Sequence, residues 1–542
     1  MYREGKEKYP NDIRFPRALG HLYYGRKLYR LAWDEYRRAE AINPNNINIK
    51  LRLANTAADL NLDKTSVEYF EKVITADPDN REAISGLGWM YYKVHRFEDG
   101  EKLLLSAVDR FGEDAELSMT LGTLYSNMYR YDEGKYWYEK SIVLGEKYWG
   151  FSAIAHYNLS IMESRFHYYD LAMDRANASL DSQVRASGYL SRGELNMRRL
   201  DLEKAQADYN AAREIDPSPL AKINLAQTYR ISGRLEEARL YAENCLNAND
   251  LSWMSNYGID PVRYKRDIYE ILYKTYKGLT GAQKFIPHYT LGEKIRSVFK
   301  TVSYRFYSSV YRKLYQKYSL AAGDAYSAEF DRIDDKPFPP LEPFIQYYNA
   351  FETYPRRAVF YLNMARNLET AIIPLSEPSY ILEEGVLFKD LNLIGTALKT
   401  LDPVWERELI SQCYRELALR GRKFSRRNAA AELFALNRGA LLQAGIRLPV
   451  EMNISFDGSG TGTRRNAKIL SNALSKAGFQ PVRTGEARYV LDISLGTAVS
   501  CTLIDTEGVT RPMHRRFSLN SVSKKDIYAF AEAFSGYIFR VE

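Results

Sequence analysis

The chain has 542 residues, 45% hydrophobic and 27% charged, enough for several domains that share a continuous core. Its 76 basic against 68 acidic residues leave a net charge of +8 spread along the chain, a balance too mild to demand a nucleic-acid partner. Three widely separated cysteines, Cys245, Cys413 and Cys501, supply neither a metal-ligand spacing nor a disulfide framework, and no run is apolar enough for a secretory leader or a membrane span.

From the amino end, Tyr2 to Tyr9 reads as the last turns of a helix that stops at Pro10. Pro10, Pro44 and Pro78 lie 34 residues apart, as do the pairs Leu19-Gly20, Leu53-Ala54, Leu87-Gly88 and Leu121-Gly122. Tyr23, Ala57, Tyr91 and Tyr125 follow each pair at a fixed distance, then the small residues Ala32, Ser66, Gly100 and Gly134, then the bulky Tyr36, Phe70, Leu104 and Tyr138. Small residues belong where two helices cross closely, bulky ones where the next hairpin must be met. Asn43-Pro44-Asn45-Asn46 and Asp77-Pro78-Asp79-Asn80 supply a stop, a turn and a cap for the next helix.

This spacing resembles the tetratricopeptide repeat family, whose helical hairpins stack into a solenoid because one hairpin cannot bury its own apolar face. The resemblance extends over residues 1–252 as about seven repeats. Weaker members run through Leu159-Ser160 and Ala172, through Gly193, Ala205 and Tyr209, and through Leu225-Ala226 and Ala238. The register is already running at Met1, so the expectation is a truncated first hairpin and a protein that extends upstream; the alternative is a single atypical capping helix.

In such a solenoid the first helix of each hairpin lines a concave groove. The resemblance therefore implies a partner-binding face carrying Arg17, His21, Tyr24, Asn55, Trp89, Tyr92, Lys93, Thr123 and Asn127. Trp89 and Tyr92, three apart on one helix, would anchor an extended peptide or a helix of another protein; the competing reading makes them packing residues of the groove floor. The carboxylate clamp of chaperone-binding members does not carry over, because His21 and Arg52 stand where that pattern wants asparagines.

Residues 253–330 stay helical without the repeat. Ile295, Val298, Phe299, Val302, Phe306, Val310 and Leu314 recur at helical spacing. Between Lys284 and Tyr318 eight Lys or Arg, among them Lys294, Arg296, Lys300, Arg305, Arg312 and Lys313, face one acid, Glu293, with six tyrosines interleaved. Such a basic amphipathic helix suits an anionic membrane surface or an acidic partner. The competing reading packs it on the solenoid with a solvated basic face, and nucleic acid is a weaker third.

A proline-rich linker is expected over 331–343, helical hairpins over 344–446 that become similar to the repeat again from Trp405 to Ala444, and a small α+β domain over 447–542 in the order β-α-β-β-β-β-α. The opening strand with its Gly/Ser loop, the helix ending at Gly478, the Tyr489–Ile493 strand and the Thr502–Asp505 hairpin are similar to the amino-terminal domain of TolB and to the CsgG-like fold of envelope lipoproteins. That resemblance implies a bacterial envelope setting, the periplasm before the cytoplasm.

Gly458, Gly460, Gly462, Thr463 and Arg464 form the one place where a strand, a glycine loop and a helix start could hold an anion. The spacing is neither a P-loop nor a dinucleotide fingerprint, and the competing reading is a mobile loop with Thr463 as helix cap. The six histidines make no HExxH or paired-ligand spacing, and no nucleophile motif is present. The sequence thus reads as a mainly α protein: an α-solenoid, an irregular helical middle and a small α+β tail. It is expected to be a scaffold without catalysis, cofactor or metal, binding other proteins. The alternative is a cytosolic adaptor whose tail binds a phosphorylated ligand at 457–463.

Overall fold

The computed structural model describes residues 9–94, 96–146, 150–217, 219–247, 261–286, 288, 290–330, 382, 385–386, 389–456, 461–495, 499–506, 510–515 and 523–539. Seven helical hairpins come first: α1 (Arg14–Gly25) with α2 (Tyr29–Ile42), α3 (Ile47–Asp59) with α4 (Asp63–Ala76), α5 (Arg81–Lys93) with α6 (Phe97–Phe111), α7 (Ala115–Asn127) with α8 (Tyr131–Gly145), α9 (Phe151–Arg165) with α10 (Tyr169–Ser182), α11 (Ala186–Arg198) with α12 (Leu202–Ile215), and α13 (Pro219–Ile231) with α14 (Leu235–Leu246). The residues before Tyr9, on which the reading of a truncated hairpin falls, lie outside the described residues.

Three successive first helices, α3, α5 and α7, start where the repeat supplies a side-chain acceptor. Asn46, Asn80 and Asp114 accept from the backbone N–H of Ile49, Ala83 and Leu117 at 3.1, 3.0 and 2.8 Å. The helix crossings rest on the small residues. A Cβ at Gly20, Gly122 or Gly193 would come within 2.5 to 2.6 Å of the ring of Tyr36, Tyr138 or Tyr209 on the second helix of the same hairpin. Ser66 uses its hydroxyl at the crossing too, donating to the Ala54 carbonyl at 2.9 Å.

In the first, second, fourth, fifth and sixth hairpins the turn is made by one residue in the left-handed region: Lys27, Asn61, Tyr129, His167 and Leu200 have φ of 58°, 55°, 57°, 62° and 56°. In the seventh hairpin the position is filled by a glycine, Gly233, at 83°.

Helix α15 (Pro261–Ala282), a short 3₁₀ turn (Gln283–Phe285) and the long α16 (Leu291–Phe330) form an eighth, larger hairpin. Its seam is a ladder of tyrosines: Tyr273 stacks on Tyr315 with centroids 6.2 Å apart, and Tyr276 meets Tyr304, Tyr307 and Tyr311 at 6.0, 5.3 and 5.5 Å. The proline-rich linker expected over 331–343 lies outside the described residues.

Among the described residues four helices follow, α17 (Leu391–Thr400), α18 (Arg407–Arg420), α19 (Lys423–Leu436) and α20 (Arg438–Ala444), with Gly421 in the turn between α18 and α19. The last domain contains β1 (Leu448–Phe456), α21 (Thr461–Lys476), β2 (Phe479–Val482), β3 (Tyr489–Leu495), β4 (Val499–Asp505), β5 (Thr510–Arg515) and α22 (Lys524–Phe539). The sheet order is β2-β1-β3-β4-β5. Strand β1 runs parallel to β2 (Leu448 opposite Phe479) and to β3 (Val450 opposite Tyr489), while β3–β4 and β4–β5 are antiparallel. Leu491, Ile493, Val499, Cys501 and Leu503 meet Leu470 and Leu474 of α21, Phe530 and Phe534 of α22, and Leu433 and Phe434 of α19 in one core. The α+β domain is therefore welded to the helices before it rather than tethered.

The same helices dock back on the solenoid. Trp405 lies on Tyr169 with centroids 5.7 Å apart, its indole N–H donates to Asp170 Oδ1 at 3.1 Å, and the Arg199 guanidinium covers its ring at 4.7 Å. Tyr169 donates to Glu406 Oε1 at 2.7 Å. Gln443 of α20 donates to the carbonyls of Arg230 and Ile231 and accepts from Arg230 Nη1 at 3.2 Å. The contact falls on the intra-hairpin turns and the carboxyl ends of the first helices in hairpins five to seven.

Candidate partner-binding groove

The first helices α1, α3, α5 and α7 carry the residues that the sequence points to. On α1, Arg17 and His21 are exposed, and His21 Nδ1 lies 3.0 Å from the Tyr36 hydroxyl. Partial burial, with Arg52 and Arg17 nearby, holds His21 below its ordinary pKa, so the ring is neutral at physiological pH. Tyr24 is half-buried, and burial with the Asp59 carboxylate beside it raises its phenol well above the usual range.

The next two hairpins are laced together across the groove. Glu82 of α5 accepts from Asn55 at 2.8 Å and from Arg52 at 3.1 Å, both on α3. Lys93 reaches Asp63 at 2.9 Å and Asn61 at 3.3 Å. Between these polar groups sit Trp89 and Tyr92, with ring centroids 4.9 Å apart. Trp89 is 45% exposed, whereas Tyr92 is sunk deeper and burial raises its pKa against the opposing charge of Arg165 on α9. An indole left in water beside a phenol and a row of paired charges is an apolar anchor with a polar rim, the arrangement that concentrates binding energy in protein interfaces.

One expectation fails. Thr123 is buried rather than presented: its hydroxyl donates to the Met119 carbonyl at 2.9 Å and receives the Tyr138 hydroxyl at 3.2 Å. Asn127 is partly covered and donates to the Thr123 carbonyl at 2.8 Å. Hairpin four thus spends these polar groups internally, on its own backbone and on the Tyr138 hydroxyl.

Sequence reading missed Glu82 and Arg165 as groove residues, and it missed the pairing of Arg52 with Glu82. Their partners are 27 to 30 residues away or further, and only stacking brings them together.

Among the other candidate positions, Lys294, Arg296, Lys300, Arg305, Arg312 and Lys313 are exposed on α16. Gly458 and Gly460 lie outside the described residues, and α21 begins at Thr461, so Gly462, Thr463 and Arg464 belong to its first turn. Thr463 is therefore inside the helix and not its cap. Among the described residues no cluster of His, Cys, Asp or Glu is placed to hold a metal. Burial pushes the thiols of Cys245 and Cys413 up to about 12, which leaves them inert.

The tetratricopeptide repeat family model matches residues 47–80 and 221–250. No curated protein matches the chain. Among solved structures the chain is similar to a tetratricopeptide repeat protein from Parabacteroides merdae, at 16% identity over 42% of this chain and 89% of that one with a TM-score of 0.39. It is also similar to PilF of Pseudomonas aeruginosa, at 19% identity over 39% and 94% with a TM-score of 0.31, and to yeast Tom70, at 13% identity over 80% and 91% with a TM-score of 0.28. The chain is mostly helical, with tandem helical hairpins typical of a tetratricopeptide-repeat solenoid, followed by a small carboxy-terminal sheet. Repeats of this kind mediate protein–protein interactions and are typically non-catalytic.

Proposed function

We propose that this protein is a non-catalytic scaffold of a bacterial envelope assembly. It holds an extended segment or amphipathic helix of a partner protein in the groove lined by α1, α3, α5 and α7. The observation that carries the reading is the Trp89–Tyr92 pair, 4.9 Å apart and open to solvent on the indole side. The neighbouring Arg52–Glu82–Asn55 network offers a polar rim that would orient an incoming backbone or charged side chain. The later hairpins have their turn edge covered by α18 and α20 of the same chain, which directs a partner to the amino-terminal half. The envelope setting draws on the resemblance of residues 447–542 to the TolB amino-terminal and CsgG-like domains.

The test is capture of crosslinked partners from fractionated cells, with the native chain and with Trp89→Ala/Tyr92→Ala. Truncating a central aromatic pair costs about 2–4 kcal/mol, so the variant is expected to lose its envelope-fraction partners at least about thirtyfold. Retention of every partner by the variant ends the groove assignment, and partners confined to the cytosolic fraction end the envelope setting.

A further inference from the structure

Helix α16 has two unlike faces. One packs on α15 and the preceding hairpin: Ser297 donates to Gln283 Oε1 at 3.1 Å, Tyr304 to Glu236 at 2.9 Å and Ser308 to the Tyr273 carbonyl at 3.4 Å, and Tyr315 is buried. Advancing about 100° per residue puts Leu291, Ile295, Val298, Phe299, Val302 and Phe306 on the opposite side. All six are between 46% and 74% exposed. They make a continuous apolar strip about 22 Å long, an arrangement uncommon on a soluble surface without a ligand for it.

Charge borders this strip on both sides. The same rotation sets Lys294, Arg305 and Arg312 along one flank and Arg296 and Lys300 along the other, all exposed. Among the described residues none of these five has a carboxylate at ion-pair distance. The one acid of the segment, Glu293, is occupied at the helix start, where its carboxylate accepts from the Thr290 N–H at 3.1 Å and its own N–H donates to Thr290 Oγ1 at 3.2 Å.

We propose that this face of α16 lies on an anionic membrane surface, with the apolar strip at the acyl boundary and the flanking Lys and Arg at the lipid headgroups. A strip rimmed on both sides by cations of one sign, on long stems that can reach outward while their methylenes stay apolar, matches a planar layer of anionic headgroups above hydrocarbon. Among the described residues no helix is long and apolar enough to cross a membrane, so α16 lies on the surface rather than through it. The surface is separate from the groove and does not depend on what the groove binds.

The experiment is flotation of the full chain with phosphatidylcholine vesicles and with mixed phosphatidylcholine–phosphatidylserine vesicles. The native chain is expected to float at least about tenfold more with the anionic vesicles, and to lose that excess at high salt. Phe299→Ser/Phe306→Ser and, separately, Lys300→Glu/Arg305→Glu should each abolish the excess. Their circular dichroism and unfolding midpoint should stay native, because these side chains point away from the α15 seam. A native chain that stays in solution with both vesicle types overturns the proposal. So does a dimer, seen by sedimentation, that Phe299→Ser/Phe306→Ser dissolves while no flotation occurs, since the face then belongs to a second copy. Protection of an introduced Phe299→Cys thiol from labelling in the absence of vesicles also overturns it, because the chain itself then covers the strip.

Discussion

Glu163 of α9 is wholly buried, and its nearest cation, Arg175 Nε, is 3.6 Å away. Arg175 gives its short contact to Glu139 instead, at 2.9 Å. Burial therefore dominates, opposed in part by Arg175 and Lys135, and pushes the Glu163 carboxyl up to about 7 from an ordinary value of 4.5. The fold prefers the protonated form, so this group's contribution is full below about 4.5 and is lost as pH rises through about 7. Glu163→Gln keeps the shape without the charge. Its unfolding midpoint should exceed the native one by a few degrees near pH 8 and match it near pH 4.5; an equal difference at both would assign the change to packing. Other side chains repeat a single latch between hairpins. Tyr91 donates to Glu71 at 3.0 Å under the Arg96 guanidinium, and Tyr125 donates to Glu101 at 2.7 Å under Arg130. In both latches the phenol packs its ring at a hairpin boundary and satisfies its hydroxyl on a carboxylate.

At the scale of the element, the hairpins were legible because their determinants are local. Asn46, Asn80 and Asp114 cap successive first helices at a spacing of 34, and each acceptor satisfies one N–H that the helix start leaves open. Asn80→Ala and Asp114→Ala should each cost about 1 kcal/mol, read as a midpoint lowered by about 2–4 °C in thermal unfolding. Substituting the exposed Lys64 should leave the midpoint unchanged. The left-handed turns at Lys27, Tyr129, His167 and Leu200 were not legible, since nothing in a lysine, tyrosine, histidine or leucine announces a positive φ. Their conformation is imposed by the two helices that must meet. Thr123 fails as a groove residue for a related reason: helical phase placed it on the first helix, but the side it faces depends on the tyrosine that crosses beneath.

Over the whole molecule, the carboxy-terminal helices and the solenoid make one body. Arg230 is fully buried at this junction, where burial lowers its pKa to about 10 and Gln443 meets both its guanidinium and its carbonyl. Trp405 is the larger anchor, gripping Tyr169, Asp170 and Arg199 across some 235 residues of sequence. Trp405→Ala should remove about 3 kcal/mol of that docking. Calorimetry should then resolve two transitions where the native chain shows one, and an undivided transition would show that the Gln443 contact suffices. The order of the repeats, their caps, the helical phase of α16 and the strand alternation of the last domain follow from the sequence alone, because each depends on neighbours within one or two turns or one repeat. Which groove side chains stay open, how Trp405 and Gln443 close the later hairpins, and which side of α16 is left bare were settled only by tertiary packing. These outcomes depend on surfaces far apart in the chain competing for the same apolar contact, and no local spacing records which of them wins.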